Sequence, residues 1–560
     1  MLHPLEWPLF VRHLIYRRPW LTLWVVFELT GLVFRRLTQR ARLRFQSDPH
    51  QGIKKRPKWL KPACSFSEPK ALDLPTVVLA GRMPIIPAAK LPDGDPETVY
   101  QFHRWSSCVT ALGDDVLTRI ALDRALDWIK NPPPRNHPAW EPYSASERVA
   151  NLAFLLAAHP SLRVGLDEKL VGQFFCDSAS WIDAHLEYYG EIRTNNHLLN
   201  NGRALLLAGR MTGCQAWVDT GLTIFRHLCP LLFPKDGCLR EGSSHYQLIV
   251  SGWLFDVLVF ANWDDLQGER QALESCAEKA ALVCASLVAL TPKMDVHIGD
   301  ISPDLHPKHT LARMQIVYPQ RLEVAVSNRQ LGDWLFTARG EHSVLARIPD
   351  RWPVPYATHA HEDFGSVLWL CGGKTILADP GRFCYSPLIM EQDQVGPNAH
   401  NVLVVNDRGA LASSVLNNGI WYPRPYATAS IKVHVDPDGF SVTHDGYSRM
   451  AGLGTHTRAA HLRTWGLEVI DQIEGRGLAE IALVWHFAPD YLRDDGLSLT
   501  SAAGRLQVHV DQPNGHTSWW TYINSSAYGE ATPATGLTFT WKIELPFRIR
   551  THFLFQSCVE

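Results

Sequence analysis

Four side chains in the C-terminal half have the types and the spacing to hold a metal ion or to move a proton. His359 and His361 are separated by one residue, so on an extended backbone they point the same way. Asp379 and His400 follow on later segments that read as strands. Imidazole nitrogens and a carboxylate are ligands that zinc prefers, and one of the four could instead stay free to transfer a proton. Chance clustering of surface histidines is the alternative, because the chain has 25 His.

A polar stretch in the N-terminal half, residues 193–197, directly precedes an apolar helical pattern. The free amide groups and the partial positive charge of a helix N-terminus favour binding of a carboxylate. Asn196 and His197 are therefore candidate ligands for an acidic group. The alternative is that Thr194 or Asn195 only caps the helix.

A second polar stretch, residues 236–246, also precedes a helical pattern and ends in Tyr246. A tyrosine in such a place can donate or accept a proton if a nearby cation lowers its pKa. An ordinary half-buried tyrosine after a capping segment is the alternative. Earlier in the chain, Trp140 could stack on a sugar ring and Arg148 could pair with an acidic group, although core positions would also suit both.

Composition limits the class of protein. The chain has 560 residues, of which 46% are hydrophobic and 20% are charged, so it is globular and long enough for at least two domains. A net charge of -2 argues against a general nucleic-acid binder. The 11 cysteines form no CxxC pair, which favours a reducing compartment or buried free thiols.

Residues 1–61 form a basic arm with 13 Lys and Arg against three acidic residues. Its apolar part, Trp20 to Phe34, is interrupted by Glu28, is short for a membrane span and has no cleavage site typical of a signal peptide. An amphipathic helix on an anionic membrane surface and a helix docked on the protein body fit equally well. We expect a cytoplasmic or inner-membrane-associated protein, with a periplasmic location as the alternative. Residues 46–67 read as a linker.

Helical periodicity dominates from about residue 72 to residue 321. A cap at Ser144 or Ser146 is expected for the second helix. Consecutive helices with short breaks indicate helical hairpins, in a bundle or in a closed ring. The predicted helices are Leu117–Trp128, Ser146–Ala158, Lys169–Tyr189, Asn196–Met211, Gln215–Leu231, Tyr246–Trp263 and Arg270–Leu290.

Short segments rich in Val, Ile, Thr and aromatic residues follow residue 331, which predicts an antiparallel stack or sandwich. The domains are predicted as 1–70, 71–330 and 331–560, and a cleft is expected between the last two. The predicted strands are Phe364–Leu370, Lys374–Leu377, Val402–Val405, Ala429–Val435, Leu467–Gln472, Ala482–Phe487, Leu506–Val510, Ser518–Ile523, Leu537–Ile543 and Phe547–Leu554.

Several short motifs in this order resemble the heparinase II/III superfamily of polysaccharide lyases and its alginate-lyase relatives. The resemblance covers roughly residues 100–555 and excludes the basic arm. Each motif is weak alone, whereas the set in order is fairly specific. The matching elements are Asn195-Asn196-His197-Leu198-Leu199, Asp236-Gly237, Arg240-Glu241, Tyr246, Gly299-Asp300, His359 to Asp363, Asp379-Pro380-Gly381, Tyr385 and His400-Asn401.

The resemblance implies a multidomain α+β protein, with an N-terminal incomplete (α/α) toroid followed by a C-terminal antiparallel β-sandwich. It also implies β-elimination at a uronic acid. In this scheme Asn196 and His197 neutralise the carboxylate of the substrate. Tyr246 passes a proton to the leaving oxygen and, for some substrate stereochemistries, also removes the C5 proton. His359 is the partner base.

The resemblance further implies that a divalent metal, with a structural zinc expected, is bound by His361, Asp379 and His400. The predicted substrate-binding residues are Trp140, Arg148, Arg240 and Glu241. Two departures from the family pattern bear on activity. Gln247 follows Tyr246 where a histidine is usual, with His245 before the tyrosine, and Glu362 stands where a small residue is common.

Three functions are compatible with these residues. The first is a lyase acting on an acidic polysaccharide. The second is a glycoside hydrolase on the same scaffold, with Glu241, Asp300 and Glu362 as candidate carboxyl groups. The third is a non-catalytic glycan-binding protein of polysaccharide synthesis or export. The sequence leaves the polysaccharide, the mode of cutting and the oligomeric state open.

Overall fold

The computed structural model has a helical domain followed by a β domain, and each domain has its own apolar core. The predicted helix of the basic arm, and with it the proposed membrane contact, lies outside the described residues. These residues are 56–64, 72–87, 91, 93–190, 194–261, 263, 266–322, 329–349, 351–352, 359–386, 394–410, 415–417, 420–422, 429–512 and 514–557.

Ten α-helices form the helical domain in the described part of the chain. Helix α4 begins at Pro142 and is capped by Glu141, which accepts from the amides of Tyr143 and Ser144, so the predicted cap at Ser144 or Ser146 is wrong. The helices are α1 Glu97–Arg104, α2 Ser107–Thr110, α3 Asp115–Lys130, α4 Pro142–Ala158, α5 Glu168–Ala184, α6 Asn196–Thr212, α7 Gln215–Leu232, α8 Ser244–Phe260, α9 Gln267–Leu290 and α10 Pro307–Val317.

Short connections turn these helices into hairpins. Only two residues join α6 to α7, and the first of them, Gly213, has φ 74°, the left-handed conformation that commonly ends a helix. The two helices lie in close contact through glycine, because a Cβ on Gly221 would stand 2.5 Å from the carbonyl oxygen of Gly202. The domain is an incomplete (α/α) toroid, as the sequence predicted.

The described end of the basic arm packs on this domain. Arg56 forms an ion pair of 2.6 Å with the buried Asp183 of α5, and Trp59 stacks on His227 of α7 at 4.0 Å between ring centroids. Residues 56–64 are therefore docked and do not act as a free linker. Within the described part of the chain, no helix combines the length and apolar composition needed to cross a bilayer.

All strand pairs of the β domain are antiparallel. Strand β12 alternates between buried and partly exposed residues, as expected for a strand with one face on a core. The strands are β1 Arg329–Leu331, β2 Trp334–Arg339, β3 His342–Arg347, β4 Arg351–Trp352, β5 Val367–Cys371, β6 Lys374–Leu377, β7 Leu403–Val405, β8 Val415–Asn417, β9 Ile420–Tyr422, β10 Ala429–Asp436, β11 Gly439–His444, β12 Leu453–Arg463, β13 Gly466–Gly475, β14 Leu478–His486, β15 Leu492–Arg493, β16 Ser498–Ser501, β17 Gly504–Val510, β18 His516–Asn524, β19 Thr532–Glu544 and β20 Phe547–Ser557.

The strands build three larger sheets and the β8–β9 hairpin. The sheet orders are β1-β2-β3-β5-β6, β15-β16-β17-β20-β13-β12-β11-β10-β4 and β18-β19-β14-β7. Side chains from all three share one core, which makes the domain the predicted β-sandwich. The change from helix to strand falls between Val317 and Arg329, while the exact domain limits stay a prediction.

A loop of the β domain joins the two domains at the candidate site. The amide of His359 donates to the carbonyl of Glu241 (3.1 Å), and its carbonyl accepts from the amide of Asp300 (2.9 Å). Gly299 has φ 78°, and a Cβ there would lie 2.5 Å from the carbonyl oxygen of Gly242, so only glycine permits this approach. The backbone thus fixes His359 against the helical domain.

Candidate active site

Asn196 and Glu241 form a buried pair at the N-terminus of α6. The Glu241 carboxylate accepts from the amide N–H of Asn196 at 2.7 Å and from its side-chain Nδ2 at 2.5 Å. Because an ionised carboxylate only accepts hydrogen bonds, the nitrogen of the Asn196 side chain must face Glu241. Glu241 therefore fixes the orientation of Asn196. Asn195 caps the helix by accepting from the amide of His197 at 3.1 Å.

His359 lies between two hydrogen-bond partners that select its tautomer. Nδ2 of Asn196 is 3.2 Å from Nε2 of His359, and Oδ2 of Asp300 is 3.1 Å from Nδ1. Asn196 can only donate through this nitrogen, and the carboxylate can only accept. Neutral His359 therefore carries its proton on Nδ1 and keeps a lone pair on Nε2, as a general base requires.

Tyr246 stacks directly on His359, with 3.6 Å between ring centroids and 10° between ring planes. Burial raises the pKa of the Tyr246 phenol well above its usual value, and Asp304 and Asp300 raise it further, outweighing hydrogen bonds with Ser302 and Tyr385. The expectation that a cation would lower this pKa is therefore wrong. The phenol stays protonated and is suited to donating a proton.

Asp300 connects the two histidines of the loop. Its Oδ1 is 2.9 Å from Nε2 of His361, while its Oδ2 is bonded to His359 and accepts from the hydroxyl of Tyr385 at 3.3 Å. Burial alone would raise the pKa of Asp300, but the hydrogen bonds from His359 and His361 outweigh it and hold the pKa well below its usual range. Asp300 is thus an ionised group that orients both rings.

His197 lies beside this cluster with 36% of its side chain exposed. Its Nδ1 is 3.0 Å from Glu187, and its ring is 4.5 Å from the ring of Tyr143. Burial opposes the imidazolium, but the carboxylates of Glu187, Glu141 and Glu241 outweigh it and raise the pKa of His197 to about 9. Solvent weakens this effect, yet the direction favours a cationic ring at neutral pH.

His361, Asp379 and His400 form a buried group whose ligand atoms all lie within 4.8 Å of one another. Nδ1 of His361 and Nε2 of His400 are buried without a hydrogen-bond partner, while Nδ1 of His400 is 2.7 Å from Asp379. Two orphaned imidazole nitrogens beside a carboxylate fit a divalent metal. Burial excludes the alternative of scattered surface histidines. The segments that carry these residues are loops, not the predicted strands.

A second group could also hold a metal by distance alone, since ligand atoms of Glu141, Glu187 and His197 lie within 4.8 Å of one another. Here, however, the carboxylates have other partners. Glu141 caps α4, and Glu187 accepts from Asn201 at 3.2 Å. A proton on His197 balances the charge of this group without a metal ion. We therefore interpret the group as the environment that charges His197 and not as a metal site.

Two substrate-binding candidates pack in the helical core. Trp140 is 5% exposed and Arg148 is fully buried. Arg148 donates to the carbonyl oxygens of His103 and Ala139 at 2.9 and 3.0 Å, and its guanidinium lies over the ring of Trp128 at 4.2 Å. These contacts support the alternative that both residues belong to the core, and neither has a role in the proposed function. Arg240 donates to the carbonyl of Thr194, so it holds the segment before α6.

The residues that depart from the family pattern have structural roles. Gln247 is buried, accepts from the amide of Leu239 at 2.6 Å and donates to the carbonyl of Gly237 at 2.9 Å. His245 is bonded to Thr310 at 2.9 Å. Glu362 packs against Gly409, where a Cβ would stand 2.5 Å from its Oε2.

Sequence reasoning missed Glu187 as a site residue. The sequence predicts a helix through Tyr189, whereas α5 ends at Ala184 and frees the segment that carries Glu187. A carboxylate ten residues before His197 has no local signal, since the pairing depends on the tertiary path. Tyr385 was noted as a motif residue without a role, and Asp300 only as a motif residue and a candidate carboxyl group for a hydrolase. In contrast, the structure brings Asn196, Tyr246 and His359 together, and His197 lies beside them.

Residues 332–540 match the family described as Heparinase II/III-like, C-terminal. The crystal structure of a heparinase III is similar over 83% of this chain and 78% of its own, with a TM-score of 0.62 and 16% identity. A mutant heparan sulfate lyase from Pedobacter heparinus is similar over 84% and 78%, with a TM-score of 0.54 and 17% identity. At such identities these similarities establish the fold. A comparison with curated proteins found no match.

Proposed function

We propose that the chain is a polysaccharide lyase, because residues 332–540 match a Heparinase II/III-like C-terminal domain and the two-domain fold is similar to that of a heparinase III. It cleaves a uronic-acid-containing polysaccharide by β-elimination. The observation that carries the proposal is the convergence of an amide, an imidazole with a lone pair on Nε2 and a protonated phenol within one site.

Neutralisation of the uronate carboxylate is the first requirement, because it makes the C5 proton more acidic. A cationic His197 can donate through Nε2, since the described residues bond only to its Nδ1. Asn196 supplies a second donor. When the substrate carboxylate accepts the N–H that Asn196 otherwise donates to Nε2 of His359, the lone pair on Nε2 becomes available to accept a proton. Both donors are positioned in advance, which makes such stabilisation effective.

Proton transfer completes the elimination. His359 removes the C5 proton through Nε2, and the electron pair of that C–H bond forms the C4–C5 double bond. The C4–O bond breaks at the same time, and Tyr246 gives its proton to the departing glycosidic oxygen. The stacked rings place acid and base side by side. One unsaturated uronate and one reducing end form for each bond that is cut.

A divalent metal, in our proposal zinc, would be held by His361, Asp379 and His400. It would supply a fixed positive charge that orders the β-domain loops. His361 shares Asp300 with His359, so the ordering of His361 also orients the candidate base.

The direct test incubates the purified protein with a panel of uronate polymers that includes heparan sulfate and alginate. We expect ultraviolet absorbance from unsaturated uronate to rise in proportion to new reducing ends. Reducing ends without this absorbance would identify a hydrolase. Binding of a polymer without any new ends would support the non-catalytic glycan-binding alternative.

The hydrolase alternative needs one carboxyl group that is protonated and free to act as an acid. Asp300 accepts from two histidines and Glu241 accepts twice from Asn196, so both are committed as acceptors. We expect Glu241→Gln to lower kcat by about 100-fold, because the glutamine amide cannot accept both hydrogen bonds and Asn196 shifts. The residual product should still be unsaturated.

The product ratio of the Glu241→Gln variant is the deciding measurement, because loss of rate alone fits both mechanisms. Asn406→Asp, a change of similar size at a residue whose side chain accepts from the amide of Glu480 of β14, serves as a control for general effects of an amide–carboxylate exchange. A variant that cuts at the full rate would contradict the role of Glu241 in holding Asn196.

The charge of His197 predicts a pH dependence. Because its pKa is raised to about 9, the ring stays cationic through neutral pH, and KM for the polymer should rise as the pH passes about 9. In Glu187→Gln the largest favourable charge is lost, so the rise in KM should begin at lower pH. KM profiles of both proteins would test this, and identical profiles would show that Glu187 does not control the charge of His197.

A further inference from the structure

A groove of about 550 Å³ lies on the helical domain and shares no residue with the candidate active site. Its volume is within the range of ligand sites. One wall is α10, whose residues Lys308, Leu311, Ala312 and Gln315 follow each other at helical spacing and so form one stripe. The opposite walls are the extended segment 82–84 and the turn 292–295.

The groove is cationic. Arg82, Lys293 and Lys308 line it and are exposed, against the single acidic residue Asp295. Within the described part of the chain, none of the three cations takes part in an ion pair. This charge contrasts with the rest of the protein, since residues 62–560 contain 41 Lys and Arg against 53 Asp and Glu. The groove therefore attracts a polyanion, although residues 62–560 as a whole carry an excess of negative charge.

The groove also offers apolar contact. Met83, Leu311 and Ile316 are buried at its floor, while the rings of Pro84 and Pro292 are exposed at its edge. Sugar rings present apolar C–H faces between their polar groups, so a floor of this kind beside cations suits an acidic sugar chain. The concave shape admits a chain of sugar rings but does not fit a flat lipid surface.

The other face of α10 is tied to the candidate active site. Thr310 is bonded to His245, the residue before Tyr246, and Arg313 is paired with Asp256 of α8. The loop that enters α10 contains Asp300 and Asp304. The helix that forms one wall of the groove is thus anchored at the start of α8, where Tyr246 lies.

We propose that this groove is a secondary binding site for a strand of acidic polysaccharide, held by Arg82, Lys293 and Lys308. The proposal rests on the proposed function, since its ligand is the same class of polymer. The site would raise affinity for long chains without taking part in bond cleavage.

The test measures polymer binding without turnover, in full-length protein that carries Tyr246→Phe. The triple variant Arg82→Gln, Lys293→Gln, Lys308→Gln is compared with its parent on size-fractionated alginate and heparan sulfate by calorimetry at low salt. We expect about tenfold weaker binding in the triple variant, from three lost charge contacts of modest strength. Its affinity should also fall less steeply with added salt.

A matched control neutralises three exposed cations elsewhere in the helical domain, Arg119, Arg124 and Lys130 of α3, each changed to Gln. This control changes net charge equally and should bind the polymer within about twofold of the parent. Equal loss in both variants would overturn the proposal, because it would indicate attraction by net charge alone. Unchanged binding in the groove variant, or a parent that binds neither polymer, would also overturn it.

Two further measurements separate this proposal from its alternatives. Anionic phospholipid vesicles are offered to the same proteins, and a groove variant that loses vesicle binding but keeps polymer binding would contradict the assigned ligand. Elimination is measured separately in protein with an intact Tyr246. If the protein with an intact Tyr246 catalyses elimination but the groove variant binds the polymer as its parent does, only the groove proposal is rejected. If the groove variant loses polymer binding but the protein with an intact Tyr246 catalyses no elimination, only the proposed lyase activity is rejected.

Discussion

Tyr246→Phe is expected to lower kcat by about 10²–10⁴-fold, the contribution that a positioned proton donor typically makes. Among the described residues, the phenol is the group stacked on His359 that can hold a proton for the leaving oxygen, and its raised pKa keeps that proton in place at neutral pH. Phenylalanine keeps the stacked ring. KM should change little, because Asn196 and His197 make the contacts to the carboxylate.

Structural damage is the main competing explanation for such a loss, and Tyr447→Phe controls for it. Tyr447 is also buried and donates its hydroxyl to a backbone carbonyl, that of Leu403, within the β domain. Both variants lose a buried hydroxyl, so both should lose about 1 kcal/mol in free energy of unfolding. Only Tyr246→Phe should lose kcat. Retention of more than about a tenth of wild-type kcat would contradict the role of Tyr246 as the acid.

Long apolar patterns allowed much of the fold to be predicted. The predicted helix Asn196–Met211 corresponds to α6, and the predicted strand Lys374–Leu377 is identical to β6. The toroid and the sandwich that the resemblance implied are confirmed, and residues 332–540 match the family described as Heparinase II/III-like, C-terminal. These features could be predicted because the spacing of apolar residues in a helix or strand is visible within a short stretch of sequence, and because the motifs occur in a fixed order.

Elements without a clear local period were missed. The first four residues of β2 are all buried, so the strand lacks the alternation that marks a half-exposed strand. Helix α1 has only eight residues and depends on tertiary contacts, such as the ion pair of Arg104 with Asp304. The end of α5 was predicted five residues late, because His185 stacks on Trp181 at the point where the helix stops.

The site could be predicted as a set of residues but not as a network. Nothing in the spacing of Asp300 indicates that its two oxygens bind two histidines of another domain. Likewise, the sequence could not show that Glu241 fixes the amide of Asn196, because Glu241 was predicted only as a substrate-binding residue or as a candidate carboxyl group of a hydrolase. Such relations arise from the packing of loops about which periodicity says nothing.

Asp379→Ala is expected to cause the largest loss of stability among the variants considered. Burial would raise the pKa of Asp379, but the charge of His400 outweighs it and lowers that pKa, so the two groups stabilise each other as an ion pair. Removal of the carboxylate leaves the fully buried His400 imidazole without its 2.7 Å hydrogen bond on Nδ1, while Nε2 already has no partner among the described residues. Breaking a buried pair in this way costs about 3–5 kcal/mol. For a domain of this size the melting temperature should fall by roughly 6–20 °C.

The chain offers a matched control in Asp436→Ala. Asp436 pairs with His434 at 3.0 Å, but that pair lies at the surface, with 74% of the histidine side chain exposed. Its loss should cost less than about 1 kcal/mol. Calorimetric melting of wild type and both variants compares the same chemical pair buried and exposed. Equal shifts in the two variants would show that burial of the Asp379–His400 pair does not contribute as proposed.

Chelation tests the metal separately from the ion pair. A divalent ion held by His361, Asp379 and His400 binds only the folded state and so stabilises the domain. A chelator should therefore lower the melting temperature of the wild type. The Asp379→Ala variant has lost a ligand, so the chelator should have little further effect on it. Metal analysis of both proteins should show the same difference. A wild-type melting temperature that does not respond to chelation, in protein that contains no stoichiometric metal, would reject the zinc and leave the buried ion pair to order the loops that carry the site.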